Sequence, residues 1–330
     1  MLEGRVGMKV GRERLELGAG DGITVLPGTA HKFWNAGGAK LGICAILWHV
    51  VTCSICGPIA GQLRGTAVAM RPATRCTRVE FFGLPLDLVT LDDMLRAVDE
   101  VIETRGQAEH GSLAANNVVR ANDHPEYLAA LRRHCFVTAD GQGVVWAARL
   151  LGHAVPERVT GADLMLALLG QAEARGHRVY LLGAAADVLA DAEAAIKRRH
   201  PRLAVVGRHH GYFAPADDDR IVEDIAASQA DLLFLAFPSP RKEIFLMSHR
   251  DALRVPFAMG VGGMFDVIAG RVRRAPGWIQ KAGLEWAFRM VQEPRRLFVR
   301  YVTTHTKFVA RVAGPVVRHK LGRDRLPIGS

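Results

Sequence analysis

Asp140 is the residue whose position most clearly suggests chemistry. It follows the apolar run Phe136-Val-Thr-Ala and precedes Gly141, so its carboxylate stands where a buried strand is predicted to end. A carboxylate at such a point suits a general base that removes a proton from a hydroxyl. Local sequence alone supports an alternative equally well, in which Asp140 stabilises a turn or caps a helix.

Polar or glycine-rich loops follow the other predicted strands as well. Glycines in such loops let backbone N–H groups approach a diphosphate at a helix N-terminus, although turns also use glycine for other reasons. No G-x-G-x-x-G or GxxxxGK[ST] motif occurs, which disfavours a nicotinamide dinucleotide or ATP. No H-E-x-x-H or paired CxxC motif occurs either, so no metal-ligand set is visible and we expect no metal. The loops are Asn116-Asn117, Asp140 to Gly143, Gly183, Pro238 to Glu243 and Gly262 to Asp266.

Residues 79–270 contain the elements that must position these loops. Short apolar strands alternate there with helices of about 10–15 residues, which predicts an α/β domain with a Rossmann-like parallel sheet and helices on both faces. Ligands of open parallel sheets bind beyond the carboxyl ends of the strands, so the loops are expected along one edge. The strands are predicted at 112–115, 136–139, 177–182, 204–207, 232–237 and 257–261.

Residues 1–40 alternate apolar and polar positions between glycines, which predicts short antiparallel strands. Gly20-Asp21, Pro27-Gly28-Thr29-Ala30-His31 and Asn35 resemble the second motif of cupin barrels. In a cupin, that histidine binds metal together with ligands from an earlier His-x-His motif, which this chain lacks. We therefore interpret residues 1–40 as a cupin-like β fragment without a working site.

Residues 41–78 are predicted to be an apolar segment followed by a basic linker. Residues 41–60 approach the ~20 apolar residues of a membrane span, but His49, Gly57 and Pro58 interrupt them. A transmembrane helix and a buried or disordered linker both remain open, and the interruptions favour the linker. No signal peptide is predicted, because the first twenty residues alternate charge and glycine. Five scattered cysteines favour a reducing compartment over a disulfide framework.

The net charge of +10 lies entirely at the C-terminal end of the chain. Residues 271–330 contain fourteen Lys and Arg against three acidic residues, a net charge of +11, which leaves −1 for residues 1–270. Basic residues alternating with apolar ones predict an amphipathic helical appendage on an anionic membrane surface. A solvated basic face is the alternative. The apolar members are Trp278, Ile279, Leu284, Trp286, Phe288, Leu297, Phe298, Val299, Tyr301 and Phe308.

Several short motifs occur in a fixed order between residues 79 and 312. They are Phe82-Gly83-Leu84-Pro85-Leu86-Asp87, Ala114-Ala115-Asn116, Thr138-Ala139-Asp140-Gly141-Gln142-Gly143, Arg158-Val159-Thr160-Gly161-Ala162-Asp163-Leu164, Tyr180-Leu181-Leu182-Gly183, Ser239-Pro240-Arg241-Lys242-Glu243, Gly260-Val261-Gly262-Gly263-Met264-Phe265-Asp266, Arg274-Ala275-Pro276, Leu284-Glu285-Trp286 and Gln292-Glu293-Pro294-Arg295-Arg296. In this order and spacing they resemble the WecG/TagA/CpsF family of glycosyltransferases.

The resemblance implies a function. It implies an inverting, metal-independent transfer of N-acetylmannosamine or a related hexose from a UDP-sugar to a polyprenyl-diphosphate-linked sugar. The place implied is the cytoplasmic face of the inner membrane, where the protein would be peripheral and would make cell-surface polysaccharide or a teichoic-acid-type polymer. The UDP-sugar is then a substrate, and no cofactor is expected. A homo-oligomer is left open.

The resemblance also implies site residues. Asp140 resembles the general base, and Arg158 a substrate-contacting arginine. Cations of the appendage resemble those that would contact the acceptor diphosphate or the membrane, namely Arg274, Arg289, Arg295 and Arg296. The remaining substrate-binding residues implied are Asn116, Thr160, Asp163, Gly183, Lys242, Glu243, Gly262 and Gly263.

Two departures from the family pattern leave the donor sugar open. Ala114 stands where the family often has Thr, and Lys242 stands where a Gln is common, followed by Phe245 where a Trp is common. A catalytically silent scaffold of the same fold is therefore one alternative. A nucleic-acid-binding protein is another, which the absence of a recognised nucleic-acid motif disfavours.

Overall fold

The computed structural model describes residues 6–10, 13–17 and 31–35 as backbone, and residues 77–321 apart from 282 and 293. The side chains of residues 122, 281, 294–297, 299 and 300 also lie outside the description. The chain divides into two compact units, residues 1–64 and 65–330. The apolar segment 41–60, the linker up to residue 76, and most of the cupin-like motif fall on residues that are not described.

The first unit contains a three-stranded antiparallel sheet. Strand β1 (Val6–Val10) lies in the middle and pairs with β2 (Glu13–Leu17) and β3 (His31–Asn35). These strands occur where the alternation of apolar and polar residues predicted them.

The second unit is built around six parallel strands. Its first two strands, β4 (Thr77–Phe81) and β5 (Leu84–Leu88), form an antiparallel hairpin beside the sheet. The sheet itself has the order β7-β6-β11-β10-β8-β9, and helices pack on both faces, so the predicted fold class is confirmed. Its strands are β6 (Ala108–Leu113), β7 (Phe136–Ala139), β8 (Arg178–Gly183), β9 (Ala204–His209), β10 (Leu232–Ala236) and β11 (Phe257–Gly260).

Nine helices follow these strands between residues 91 and 268. The first six are α1 (Leu91–Glu103), α2 (Ala115–Asp123), α3 (Pro125–Arg133), α4 (Gln142–Leu150), α5 (Gly161–Arg175) and α6 (Ala186–Arg199). The next three are α7 (Asp218–Ala227), α8 (Arg241–Leu253) and α9 (Met264–Ile268). Helices α1, α5, α6 and α9 cover one face of the sheet, whereas α7 and α8 cover the other. Successive strand residues point to opposite faces, so Leu181 and Tyr180 of β8 enter different cores.

Three helices form the C-terminal part: α10 (Gly277–Lys281), α11 (Glu285–Gln292) and the long α12 (Pro294–Lys320). Phe308 and Val312 of α12 are buried in the hydrophobic cluster that α2 and α4 share. Phe308 therefore faces the protein interior, which corrects its assignment to the membrane-facing set. In the part of the chain that the structure describes, no helix is both long and apolar enough to cross a bilayer.

The hairpin was not predicted from the sequence, and the polar strand β6 begins earlier than expected. Phe82 and Gly83 both have positive φ, the conformation of a tight two-residue hairpin turn. Asp87 of the hairpin is buried, pairs with Arg78 at 2.7 Å, and accepts a hydrogen bond from the backbone of Val137. Strand β6 begins at residue 108 rather than 112, because buried polar residues occupy its first half and break the apolar pattern.

Candidate active site

A cavity of about 800 Å³ opens at the carboxyl ends of the parallel strands. It lies where ligands of such sheets bind, and its size is within the range of small-molecule sites. One end is polar and the other is apolar. The predicted site residues that line it are Asn116, Asp140, Arg158, Thr160, Lys242, Gly262, Gly263 and Arg289.

Asp140 lies directly after β7, with its carboxylate at the polar end of the cavity. Removal from bulk water raises the pKa of this carboxyl above the ordinary aspartate value, and the nearby Glu285 carboxylate raises the pKa further. The Arg158 guanidinium, the backbone N–H of Gly161 and the Ser112 hydroxyl oppose this shift. A raised pKa makes a carboxylate a stronger base.

Arg158 and Glu285 join the catalytic domain to the C-terminal helices. Nη1 of Arg158 lies 3.1 Å from a carboxylate oxygen of Glu285 and 3.4 Å from the backbone oxygen of Asp140. Its Nη2 donates to the carbonyl oxygen of Gln280 at 3.1 Å. Arg274 approaches the other oxygen of Glu285 at 3.7 Å. Two arginines thus hold Glu285, which the sequence marks only as part of the Leu284-Glu285-Trp286 motif.

Lys242 lines the cavity next to the end of β11. Its side chain lies against Gly260, where a Cβ atom would approach Lys242 Cδ to 2.5 Å, so a larger residue there would displace the lysine side chain from this position. Its Nζ lies 3.4 Å from the buried carboxylate of Glu243, which also accepts a hydrogen bond from the Ser239 hydroxyl at 2.8 Å. Glu243 is buried and does not line the cavity itself, but its ion pair helps to position the Lys242 side chain.

The N-terminus of α2 also borders the cavity. Asn116 is exposed in its first turn, and the buried Asn117 fastens the turn by accepting a hydrogen bond from the backbone of Ala114 at 3.0 Å. The Nδ2 of Asn117 donates to the hydroxyl of Tyr127 at 2.6 Å. The first N–H groups of a helix have no partners within it, so they can bind phosphate oxygens.

Other predicted site residues lie off this cavity. Asp163 caps α5 with Thr160 and pairs with Arg274 at 2.5 Å. Gly183 has φ of +124°, and a Cβ atom there would lie 2.8 Å from the backbone of Ala236, so glycine allows two strands to approach closely. The side chains of Arg295 and Arg296 lie outside the described residues.

The apolar end of the cavity was not anticipated from the sequence. Trp146 and Leu150 of α4 line one side, and Phe308, Val309 and Val312 of α12 line the other. In the sequence, the large apolar residues of α4 could have indicated an apolar surface next to Asp140. That α12 lies beside them follows only from tertiary packing.

Among the described residues, no three His, Cys, Asp or Glu side chains gather in a way that would hold a metal ion. The positive groups that line the cavity are side chains of the protein, including Arg158, Lys242 and Arg289.

Comparison with known proteins agrees with the motifs. The family model described as "Glycosyl transferase WecG/TagA/CpsF family" matches residues 79–324. A relative from Bacillus spizizenii (strain ATCC 23059 / NRRL B-14472 / W23), an N-acetylglucosaminyldiphosphoundecaprenol N-acetyl-beta-D-mannosaminyltransferase, is 36% identical over 176 residues. That match covers 53% of this chain and 68% of the relative. The predicted family is therefore confirmed: the chain belongs to the WecG/TagA/CpsF glycosyltransferase family.

Proposed function

We propose that this glycosyltransferase moves N-acetylmannosamine or a related hexose from a UDP-sugar to a sugar linked to polyprenyl diphosphate, in the synthesis of a cell-surface polysaccharide or teichoic-acid-type polymer. The Bacillus relative, by its name, glycosylates an N-acetylglucosaminyl-diphosphate lipid with N-acetylmannosamine. The observation that carries the proposal is a carboxyl with a raised pKa, Asp140, in a cavity that also contains cationic side chains.

Asp140 acts as the general base. The acceptor hydroxyl oxygen forms a bond to the anomeric carbon of the donor while the bond from that carbon to the UDP oxygen breaks. The leaving UDP takes the electron pair of the broken bond, and the hydroxyl proton passes to the Asp140 carboxylate. The raised pKa matches the base to this task, because its proton affinity rises toward that of the group it must deprotonate.

A single displacement accounts for inversion of the anomeric configuration. A double displacement would need a second carboxylate as nucleophile. The other carboxylate in the cavity, Glu285, is engaged by Arg158 and Arg274, which leaves Asp140 as the available base. Comparing the anomeric configuration of donor and product by NMR tests this step, and retention would contradict it.

The diphosphate charge of the leaving UDP is taken up by protein groups in this proposal. Arg158, Lys242 and the N-terminus of α2 line the same end of the cavity, and fixed cations and N–H dipoles stabilise developing negative charge. Asn116, Thr160, Gly262 and Gly263 would contact the rest of the nucleotide-sugar. We therefore expect turnover to persist in excess EDTA, and loss of activity that Mg²⁺ or Mn²⁺ restores would contradict metal independence.

The C-terminal helices would hold the enzyme on the anionic membrane surface that contains its acceptor. Exposed apolar side chains such as Trp278, Phe298 and Val317 accompany exposed Lys307 and Arg318, the composition of an interfacial helix. Arg289 would contact the acceptor diphosphate, with Arg274, Arg295 and Arg296 as further candidates. Co-sedimentation with anionic but not neutral liposomes is the expected result.

A panel of UDP-sugars, each combined with polyprenyl-diphosphate-linked sugar acceptors, tests the reaction itself. We expect transfer from UDP-N-acetylmannosamine or another UDP-hexose, detected as a lipid product that carries one additional sugar. Binding of UDP-sugars without transfer to any acceptor would contradict the reaction and favour the silent-scaffold alternative.

A further inference from the structure

The apolar end of the cavity is a distinct surface that the reaction at Asp140 does not require. It lies between α4 and α12, whose chain positions are about 150 residues apart. Trp146 is 56% exposed and Val309 is 61% exposed, although both line a cavity beside a packed core. Large apolar side chains left open to solvent in a concave site indicate a ligand with apolar surface.

The order of groups along the acceptor identifies this ligand, provided that the proposed function holds. The acceptor is linear, with the sugar at one end, the diphosphate next and the isoprene chain after it. When the sugar hydroxyl is at Asp140, the diphosphate must lie further along the cavity, whose lining also includes Arg289 and His305. The first isoprene units then have one continuous apolar surface beside them, formed by α4 and α12.

The side chains that form this surface differ in burial. Phe308 and Val312 are buried and pack on α2 and α4, so they form the base of the cleft. Trp146 and Leu150 on one rim and Val309 on the other are half-exposed, so they are available to close over a chain. Trp286 contacts His305 and Tyr301 at ring distances of 5.0 and 6.3 Å, and these three side chains also line the cavity.

We propose that the cleft between α4 and α12 binds the first isoprene units of the polyprenyl acceptor. The chain then enters the protein beside the active site instead of remaining wholly in the bilayer. Lipid contact in the cleft fixes the position of the diphosphate and, through it, the acceptor hydroxyl at Asp140. This binding uses the apolar surface of the first few isoprene units, so the remainder of the chain stays in the membrane.

A pair of aromatic variants tests the cleft. Trp146→Ala removes a wall of the cleft, whereas Tyr212→Ala removes an exposed aromatic side chain (78%) that does not line the cavity. Each is assayed in detergent micelles with two acceptors that carry the same sugar diphosphate, one on a polyprenyl chain and one on a short alkyl chain. Loss of a central apolar contact weakens binding about tenfold.

We expect Trp146→Ala to raise KM for the polyprenyl acceptor about tenfold, with little change for the short-chain acceptor or the UDP-sugar. Tyr212→Ala is expected to leave all three values unchanged. Equal effects of Trp146→Ala on both acceptors, or no effect on either, would overturn the proposal. Val309→Ser, on the opposite wall, provides the same measurement if Trp146→Ala does not fold.

A second measurement separates failure of the cleft from failure of the reaction. A polyprenyl phosphate with a photoreactive group on its first isoprene unit is crosslinked to the full chain, and the modified peptides are identified by mass spectrometry. Crosslinks to residues 142–150 and 301–316 are expected. Glycosyl transfer with crosslinks only elsewhere would overturn the cleft and leave the reaction intact, whereas crosslinks in the cleft without any transfer would refute the reaction alone.

Discussion

The polar and apolar ends of one cavity are built in opposite ways. The polar end consists of residues that follow strands or begin helices, and its charges are held in place by partners, as Glu285 holds Arg158. The apolar end consists of two helix faces with half-exposed side chains. Proton transfer and charge stabilisation need fixed geometry, whereas a flexible hydrocarbon chain needs area and shape. The cavity therefore combines a reaction site whose charges are paired with an apolar surface that is partly open to solvent.

The largest effect is expected from removing the base. Asp140→Asn preserves the size of the side chain but cannot accept the hydroxyl proton, so turnover should fall by about 10²–10⁴-fold. UDP-sugar affinity, measured by calorimetry, should change little because the binding cations remain. Asp251→Asn, on an exposed part of α8 outside the cavity, is the matched control. Undiminished turnover of Asp140→Asn would remove this residue from the mechanism.

The polar end could be predicted from the sequence because its residues depend on local position. Asp140 follows an apolar strand, and the strand-end rule together with the order of the motifs predicts that it meets Lys242 and Gly262 at one edge. Gly183 and Glu243 also occur in motifs, but the structure gives them packing and positioning roles. A motif shows that a residue type is required without distinguishing contact with a ligand from contact with another strand.

The apolar end could not be predicted because it depends on which helix packs beside which. The sequence of α12 has apolar residues on more than one face, and Phe308 is as suitable for a membrane as for a core. Only the packing of α12 on α2 and α4 decides that Phe308 is buried while Val309 remains open. The hairpin of β4 and β5 was missed for a related reason, since its buried Asp87 depends on Arg78 and β7.

The next largest effect should distinguish the donor side of the polar end from the acceptor side. Lys242→Gln introduces the residue common in the family and removes a cation from the cavity, so KM for the UDP-sugar should rise about tenfold, as for one charge-assisted hydrogen bond. KM for the polyprenyl acceptor should not change. Lys197→Gln, which removes an exposed partner of Glu193 on α6, is the control. A change only in the acceptor KM would reassign Lys242 to the acceptor.

A smaller effect, on pH dependence, is expected at Glu285. Its carboxylate contributes to the raised pKa of Asp140, so Glu285→Gln should lower that pKa. Asp140 works as a base only when ionised, and the acidic limb of the pH–rate profile should therefore move to lower pH. Glu103→Gln, which loses an exposed pairing with Arg175, should leave the limb in place. A limb that stays fixed or moves to higher pH in Glu285→Gln would contradict the coupling.

The smallest effect concerns protein stability. Burial of the ionised Asp140 carboxylate at the polar end destabilises the folded protein, whereas the described side chains of the apolar end include no such group. The raised pKa of Asp140 means that the folded protein holds this proton more tightly than the unfolded chain. The resulting stabilisation is present below the ordinary aspartate pKa and is lost as the pH rises through the raised value. At about pH 8 the wild type therefore contains a partly buried carboxylate, and Asp140→Asn should raise Tm by about a few degrees. That difference should shrink toward zero below about pH 4. For Trp146→Ala, at the apolar end, the Tm difference from the wild type should not depend on pH in this way. If Asp140→Asn raised Tm equally at every pH, burial of the ionised carboxylate would not be the cause of the lower wild-type stability.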